Sequence, residues 1–316
     1  MNRWFISLVM AGAALGLVAC GGGGDDPHPA GNIVVVAQAN GFNALAAAAT
    51  KACLVTALSD PAASLTVFAP TDAAFGALAT HLGFASATAM FDALPASALA
   101  SILKYHVLPT KKTAADLTAG GATQATLYSL GASPTTLALA TTGGVTITDA
   151  ALTKAKVVTA DVAASNGVVH AIDKVLESPG VLNIVRMAQV NPLFSTLVGA
   201  VVKANLQGTL SGAGTFTVFA PTNDAFAAIQ STVAGLTIAQ LTKVLTYHVL
   251  PAQVLAANIP FGTPMTTVEG ETLTINAGAP PTITDKTATP AAIVATDVRA
   301  SNGVIHVIGK VLIPTL

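Results

Sequence analysis

The sequence predicts a mixed fold of helices and strands that is built twice along one chain of 316 residues. Each copy begins with helix patterns and ends with strand patterns. Three motifs also recur in the same order, which indicates a duplicated structural unit. The repeated segments are Thr66 to Phe75 with Thr217 to Phe226, Tyr105 to Pro109 with Tyr247 to Pro251, and Ser165 to Leu176 with Ser301 to Leu312.

The first element of each copy is a predicted helix. Apolar residues within 42–53 and within 194–204 recur at the spacing of a buried helical stripe. Aligning the copies places Cys53 opposite Asn205, and Asn is common at helix ends because it tolerates a left-handed backbone. We therefore expect Cys53 to end its helix in a half-buried position, without an intramolecular disulfide partner.

A strand that ends in Phe-Ala-Pro comes next in each copy, and a helix follows it. Proline cannot donate a hydrogen bond to the strand ladder, so it ends the strand. Thr71 and Thr222 stand directly after the proline, where a hydroxyl commonly caps a helix N-terminus. Asp72 follows in the first copy and Asn223 in the second. We expect these four residues to be structural.

A further predicted helix spans residues 98–105 in one copy and 238–247 in the other, and the last third of each copy is rich in strands. There, an Asn-Gly pair predicts a tight turn between two strands, and a histidine follows within the second strand. The residues to which the sequence assigns this structural role are Asn166, Gly167 and His170, with Asn302, Gly303 and His306 in the second copy.

Taken together, these motifs resemble the fasciclin-like domain. The Phe-Ala-Pro-Thr-Asx corner, the Tyr-His-Val-Leu-Pro segment and the Asn-Gly-Val-Ile-His strand occur in the family's order over residues 31–178 and 179–316. The resemblance implies an α+β fold of two tandem domains, each a wedge of mostly antiparallel strands packed with several helices. Residues 177–180 form a short predicted linker, so we expect the domains to be hinged or lightly packed.

The resemblance also implies adhesion, because fasciclin-like domains occur on cell surfaces and in extracellular matrix. In animal relatives the Tyr-His segment and its aliphatic neighbours are assigned to integrin binding. A histidine at a helix end that is hydrogen-bonded inside the domain is the competing, structural interpretation. The residues that the resemblance places in a partner-binding segment are Tyr105, His106, Val107 and Leu108, with Tyr247, His248, Val249 and Leu250 in the second copy.

The N-terminal residues indicate export. Arg3 precedes an apolar run from Trp4 to Ala19, which is shorter than the roughly 20 residues of a membrane-spanning helix. The run ends in Leu-Val-Ala-Cys, which resembles the lipobox of bacterial lipoproteins and implies lipid attachment to Cys20 after removal of residues 1–19. An ordinary secretory signal with a chance cysteine is the alternative.

A flexible tether is predicted to follow the anchor. Residues 20–30 are rich in Gly, Asp and Pro and cannot form a packed core. Gly21 stands where Asp commonly implies retention at the inner membrane of Gram-negative bacteria, so the resemblance favours the outer membrane or cell surface.

Composition excludes one class of partner. Charged residues make up 9% of the chain, against about 25% in typical soluble domains, and the net charge is −1. No basic run is longer than Lys111-Lys112, so nucleic-acid binding has no electrostatic basis. A surface with so little charge suits an extracytoplasmic protein.

No catalytic constellation emerges. Ser165, His170 and Asp173 could be imagined as a hydrolytic triad, but Gly309 replaces Asp173 in the second copy, and no Gly-x-Ser-x-Gly elbow occurs. We therefore predict a protein that is not an enzyme and has no cofactor.

Metal ligands are not clustered either. The six histidines are scattered, no close His or Cys pair occurs, and there is no calcium-binding loop. Asp149 and Asp161 recur as Asp285 and Asp297, and we interpret these four as turn residues bonded to nearby backbone. No metal site is predicted.

Two functional hypotheses follow. The first is a lipid-anchored, extracytoplasmic adhesion protein that binds a cell-surface, matrix or polysaccharide partner through its fasciclin-like domains. The alternative, suggested by the high apolar content, is an envelope protein that binds a small apolar ligand or supports envelope assembly. A third possibility, a hydrolase, would rest only on scattered Ser, His and Asp residues.

Overall fold

The computed structural model describes residues 31–316, so the predicted signal peptide, Cys20 and the predicted tether lie outside the described part. The helices of the first half are α1 Ile33–Ala39, α2 Asn43–Lys51, α3 Val55–Leu58, α4 Asp72–His81, α5 Ala87–Ala93, α6 Ala96–Tyr105 and α7 Ala114–Ala119. Those of the second half are α8 Ile184–Val190, α9 Ser195–Lys203, α10 Gln207–Ser211, α11 Asn223–Ala227, α12 Gln230–Ala234 and α13 Ile238–Tyr247. Short 3-10 turns lie at Pro192–Phe194 and Ala256–Asn258.

Each half also contains seven strands. In the first they are β1 Leu65–Pro70, β2 Val107–Leu108, β3 Thr123–Leu130, β4 Ser133–Ala140, β5 Thr146–Thr148, β6 Lys154–Ala164 and β7 Gly167–Ile172. In the second they are β8 Phe216–Pro221, β9 Val249–Leu250, β10 Pro264–Thr266, β11 Thr272–Asn276, β12 Thr282–Thr284, β13 Ala291–Ala300 and β14 Gly303–Ile308.

The two sheets have the same topology. The strand orders are β2-β1-β7-β6-β5-β4-β3 and β9-β8-β14-β13-β12-β11-β10. Within residues 31–316, β1 with β7 and β8 with β14 pair in parallel, and the other neighbours are antiparallel. A seven-stranded, mostly antiparallel sheet with several helices in each half confirms the predicted α+β fold.

The parallel pair β1 and β7, second and third in the strand order of the first sheet, is buried on both faces, as is usual for parallel strands. Val67 and Ala69 of β1 pack into a core that contains the helices. Phe68 points the other way and packs with Tyr105 and Leu137 in a second core, which the outer strands enclose. Because successive side chains enter different cores, the strand appears in the sequence as a continuous apolar run.

Bulges in β6 and β13 bend the outer part of each sheet. The pairing register shifts around Asp161 in β6 and around Asp297 in β13. Both residues have a left-handed backbone, with φ of 59° and 60°. A bulge adds one unpaired residue and increases the local bend of a strand, so the sheet turns around the second core.

The helix ends follow local chemistry. The Thr71 hydroxyl accepts from the Ala74 N–H over 3.2 Å and caps α4. Cys53 and Asn205 end the helical turns after α2 and α9 with φ of 55° and 54°. The left-handed backbone predicted for Cys53 is therefore present. Its side chain is exposed rather than half-buried, because it follows the last buried residue of the helical turn.

The two halves are closely packed, which corrects the expectation of a hinged or lightly packed linker. Glu177 and Ser178 are each 1% exposed. The Gly180 N–H donates to the Arg299 carbonyl over 2.9 Å, and Asn191 Nδ2 donates to the Ala151 carbonyl over 2.7 Å. The linker is buried because α8 packs against α4 of the first half as well as against its own domain.

Among residues 31–316, no single helix meets both the length and the hydropathy of a membrane-spanning segment. One pair, Ile184–Val190 with Pro192–Lys203, meets them only when taken together across a bend of 107°.

The close approach at the Asn-Gly turn leads to the first prediction. A Cβ added at Gly303 would lie 2.1 Å from the Phe216 carbonyl oxygen, and the φ there is 155°. We expect Gly303→Ala to reduce the free energy of unfolding by about 3 kcal/mol or more, measured by urea unfolding.

Gly199→Ala in α9 is the control, because a Cβ there contacts nothing. It should be neutral or stabilise by up to about 1 kcal/mol. Equal effects of the two changes would contradict the steric argument.

Candidate functional site

The first predicted partner-binding segment lies where α6 ends. His106 Nδ1 lies 2.8 Å from the carbonyl oxygen of Ile102, four residues earlier in the helix. The N–H of Leu176, beyond β7, donates to His106 Nε2 over 2.8 Å. The His106 carbonyl accepts from the Phe68 N–H of β1 over 2.9 Å. His106 therefore joins a helix end to two other segments of the first half.

The second copy repeats this arrangement at the end of α13. His248 Nδ1 lies 2.8 Å from the Val244 carbonyl oxygen, and the Leu312 N–H donates to His248 Nε2 over 2.9 Å. The His248 carbonyl accepts from the Phe219 N–H over 2.9 Å. The same three bonds recur with different neighbours, so this is a property of the fold.

These bonds set the protonation state of both rings. Nδ1 faces a carbonyl, which only accepts, and Nε2 faces an N–H, which only donates, so each imidazole is neutral with its proton on Nδ1. Burial lowers the pKa of His106 and of His248 to about 4. The hydrogen bond from each ring to a helix carbonyl raises the pKa, but by less than burial lowers it. Neither ring has a free lone pair for proton abstraction or metal binding.

The rest of both segments is buried too. Tyr105 donates to the Thr136 carbonyl over 3.2 Å, and Tyr247 donates to the Thr272 carbonyl over 3.0 Å. None of the eight side chains is more than 3% exposed. The prediction that they contact a partner is therefore corrected. The two-residue strands after each histidine pair with β1 and β8, which draws the segments into the cores.

The histidine that follows each Asn-Gly turn also bonds only to backbone. His170 Nδ1 accepts from the Asp161 N–H over 3.1 Å, and Nε2 lies 2.9 Å from the Lys112 carbonyl oxygen. Asp161 in turn accepts from the Ala114 N–H over 2.8 Å, at the first residue of α7. His170 thus supports the bulge, and both its nitrogens are engaged, so it cannot serve as the base of Ser165.

In the second copy, His306 Nδ1 accepts from the Asp297 N–H over 3.3 Å, and Nε2 lies 2.8 Å from the Val254 carbonyl oxygen. Asp297 accepts from the Ala256 N–H over 2.9 Å. The ring stacks on Phe219 with centroids 5.8 Å apart. The recurrence favours a structural role for both histidines.

The Asn-Gly turn ties the first helix of each half to the sheet. Asn166 Oδ1 accepts from the Ile33 N–H over 2.9 Å, and Nδ2 donates to the Leu58 and Asp60 carbonyls, each over 2.9 Å. Asn302 makes the equivalent bonds to α8, to Leu210 in α10 and to Gly212 directly after it. Only an amide both accepts and donates in this way, so Asp could not replace Asn here.

The Asx residue after each capping threonine caps another helix. Asp72 Oδ1 accepts from the Ala44 N–H in the first turn of α2 over 2.8 Å. Asn223 Oδ1 accepts from the Thr196 N–H of α9 over 3.0 Å, and its Nδ2 donates to the Pro192 carbonyl over 2.8 Å. The corner therefore fixes two helices at once.

Metal binding finds no support within residues 31–316, where no three His, Cys, Asp or Glu side chains are grouped for a metal ion. Asp149 accepts from the Ala151 and Thr153 N–H groups over 3.0 and 2.8 Å. Asp285 accepts from the Thr287 N–H over 2.9 Å. Both carboxylates bond to nearby backbone, as expected from their positions at turns.

Apolar cavities lie in equivalent places in both halves. That of the second half, between α8, α9 and β8, has a volume of about 40 Å³, and that of the first has about 30 Å³. A cavity that holds benzene has about 150 Å³. These spaces therefore give no support to the small-ligand alternative.

Sequence reasoning missed a cleft at the junction of the two halves. Polar side chains from three elements of the first half meet there: His81, Lys154, Asp173, Lys174 and Glu177. A signal for it exists in the alignment of the copies, because Glu177 and Asp173 correspond to Ile313 and Gly309.

Comparison with known families agrees with the fold. The family model of the fasciclin domain matches residues 40–179 and 192–314. Protein sll1483 of Synechocystis is 44% identical over 140 residues, which cover 43% of this chain and 75% of that protein.

Animal proteins are similar over a longer part of the chain. The transforming growth factor-beta-induced protein ig-h3 of Sus scrofa is 32% identical over 258 residues, or 79% of this chain. The chain spans only 35% of that protein's length. Among solved structures, the FAS1 domain pair from the insect cell adhesion molecule fasciclin I superimposes with a TM-score of 0.43 and 17% identity, covering 89% of this chain and 95% of that one.

The buried histidines predict a pH-dependent stability. An unfolded histidine has a pKa of about 6.5, whereas His106 and His248 have a folded pKa of about 4. Between these values the unfolded state binds more protons, so stability is full above about pH 6.5 and is lost as the pH falls towards 4. Urea unfolding should show that His248→Gln is less stable at pH 7 by about 2–3 kcal/mol. The free energy of unfolding of His248→Gln should also fall less than that of the wild type when the pH is lowered from 7 towards 4.

The matched control is His81→Gln, which alters an exposed histidine. It should change the free energy of unfolding by no more than about 0.5 kcal/mol at either pH. An unchanged pH dependence in His248→Gln would contradict the assignment of a neutral, buried ring.

Proposed function

The chain belongs to the fasciclin domain family, and we propose that it is an exported, lipid-anchored adhesion protein that binds a cell-surface, matrix or polysaccharide partner. Fasciclin domains occur in cell-adhesion proteins. The observation that carries the proposal is that two such domains make up most of the chain. The low charge of the exterior supports it, since such a surface gives little long-range repulsion of other surfaces.

A non-enzymatic role agrees with the site geometry. The four histidines of the repeated motifs engage both ring nitrogens with backbone groups, which leaves them no proton to exchange with a substrate. The duplicated motif residues stabilise the domains. Residues elsewhere on the surface then make the partner contacts.

One exposed apolar residue recurs in both copies and is our candidate for such a contact. Val158 of β6 is 56% exposed, and Val294 of β13 is 59% exposed. Each lies at the first of the two register shifts in its strand, three residues before the aspartate of the bulge. Equivalent positions in tandem domains present the same apolar group twice, which suits a partner with repeated binding sites.

Lipid attachment at Cys20 would hold these domains at a membrane. The apolar run and the Leu-Val-Ala-Cys sequence at its end support this part of the proposal. One acyl chain gives only marginal membrane binding, and stable anchoring requires more than one. A lipoprotein cysteine carries several chains, and Gly21 favours the outer membrane.

If Cys20 carries the lipid anchor, replacing it should release the protein from the membrane. In a Gram-negative host, the wild-type protein should fractionate with membranes and carry a lipid mass on its N-terminal peptide. Cys20→Ser should remove that mass and leave the protein out of the washed membrane fraction. Cys53→Ser is the control, since an exposed cysteine in the folded part has no role in anchoring. Membrane retention of Cys20→Ser would contradict the anchor.

Adhesion predicts a loss of attachment when the exposed valines are made cationic. Cells carrying the wild-type protein are compared with cells carrying the Val158→Lys, Val294→Lys double variant on matrix-coated and polysaccharide-coated surfaces. We expect attachment to fall at least about threefold, because apolar contact area is lost at two sites together. Deletion of residues 31–316 with the anchor retained sets the background.

Val202→Lys is the matched control, since Val202 is 48% exposed on α9 and has no role in the proposal. Attachment that is unchanged by deletion of residues 31–316 would contradict adhesion. Attachment that is lost on deletion but unchanged in the double variant would contradict only the choice of contact residues.

A further inference from the structure

A cleft of about 280 Å³ lies at the junction of the two halves. Its volume is close to the lower end of the roughly 300–1,000 Å³ that is usual for small-molecule sites. One wall is apolar and includes Val190 of α8, so the second half closes a cleft that is otherwise built from the first. The lining residues of this wall are Ala74, Ala77, Leu78, Val175 and Val190.

Glu177 is the deepest polar residue of the cleft. Its side chain is 1% exposed, and its Oε1 has no hydrogen-bond partner. Burial, together with the nearby Asp149 carboxylate, raises the pKa of Glu177 to about 8, although Lys174 acts in the opposite direction. At neutral pH the group is a protonated acid, and it has a proton to donate.

Two lysines face the same space. Lys154 is exposed at the start of β6, and Lys174 is half-buried beyond β7. Neither forms an ion pair within residues 31–316. In the second copy, Lys310 corresponds to Lys174, and its Nζ is paired with Asp285 Oδ2 at 2.8 Å. In the first copy Lys174 has no such close ion pair. Burial lowers its pKa, while Asp149, Glu177 and Asp173 act in the opposite direction.

The remaining charged groups give the cleft a small positive charge. His81 of α4 and Asp173 complete its lining, and Asp173 Oδ1 already accepts from the Lys156 N–H over 2.7 Å. With Glu177 neutral, the lining of the cleft holds two lysines and one carboxylate, and the Asp149 carboxylate lies near Glu177 outside the lining. No three metal-ligating side chains are grouped here or elsewhere in the described residues, and the lysines would repel a cation. The charges therefore favour an anion.

We propose that this junction cleft binds an anionic sugar, whose carboxylate is held by Lys154 and Lys174 and one of whose oxygens accepts the proton of Glu177. The apolar wall suits the C–H face of a sugar ring. Charge-assisted hydrogen bonds to a carboxylate are the strong contacts of such a site. The site does not depend on the adhesion proposal, since a cleft can bind a sugar acid whether or not the protein attaches to a surface.

The full chain, purified in a sugar-free detergent, is titrated with sodium glucuronate by calorimetry, with glucose as the uncharged control. Glucuronate should bind at about pH 6.5, and glucose should bind at least about tenfold more weakly. Lys154→Ala should weaken glucuronate binding about tenfold. Lys156→Ala is the matched control, because Lys156 lies two residues along the same strand, is also exposed, and does not line the cleft.

A second variant tests Glu177 by pH. As the pH rises to about 9, Glu177 ionises beside Asp149 and Asp173, so wild-type binding should weaken about tenfold. Burial lowers the pKa of Lys174, so Glu177→Gln, which keeps a neutral donor, should lose some affinity by pH 9 but less than the wild type loses. Circular dichroism shows whether each variant is folded, and Lys154→Ala provides a test that does not alter a buried residue.

Several outcomes would overturn the proposal. They are absence of glucuronate binding at millimolar concentration, equal effects of Lys154→Ala and Lys156→Ala, and equal binding of glucose and glucuronate. Inorganic phosphate that binds as tightly as glucuronate would overturn the assignment of a sugar. If glucuronate affinity falls equally at high pH in Glu177→Gln and in the wild type, the role of Glu177 as a proton donor is overturned.

Discussion

The parallel pairing of β1 with β7, and of β8 with β14, is the interaction on which each half depends. It joins segments 102 residues apart in the first half (Leu65 with Gly167) and 87 apart in the second (Phe216 with Gly303). Loop-closure entropy opposes such pairing, and two cores stabilise it. The repeated motifs lie around this pair. Asn166 holds α1 at the start of β7, and His170 of β7 supports the bulge in the neighbouring strand β6. Thr71 caps the helix that follows β1, and His106 bonds to β1 and to the segment after β7. The motifs therefore recur because the pairing requires them.

Features set by local chemistry could be predicted from the sequence, and features set by distant contacts could not. The capping role of Thr71 follows from the proline before it, and the left-handed backbone of Cys53 follows from its alignment with Asn205. The burial of the Tyr-His segments and of Glu177 depends on strands and helices far away in the chain. A helix that ends in Tyr-His has the same local pattern whether its end faces solvent or a second core. The candidate site at the junction was missed for the same reason.

Comparison of the two copies distinguishes residues that the fold requires in both from residues that have a role in one copy alone. Asp72 and Asn223 perform the same capping task with different charge, because an oxygen acceptor is sufficient for both helices. Glu177 has an apolar counterpart, and it is buried where the second half packs against the first. The copies differ at this position because the two domains do not have equivalent surroundings at the junction.

The bonds of Asn166 have a mechanical consequence. Ile33 is the first residue of α1, and its N–H is held by Asn166 in the turn before β7. A pulling force applied through the N-terminal part of the chain reaches this hydrogen bond before it reaches the sheet. Asn166 also holds the Leu58 and Asp60 carbonyls, so the load is divided between the turn and the segment that leads into β1. From there, the force enters β1 and β7 at their N-terminal ends, which lie side by side because the two strands are parallel.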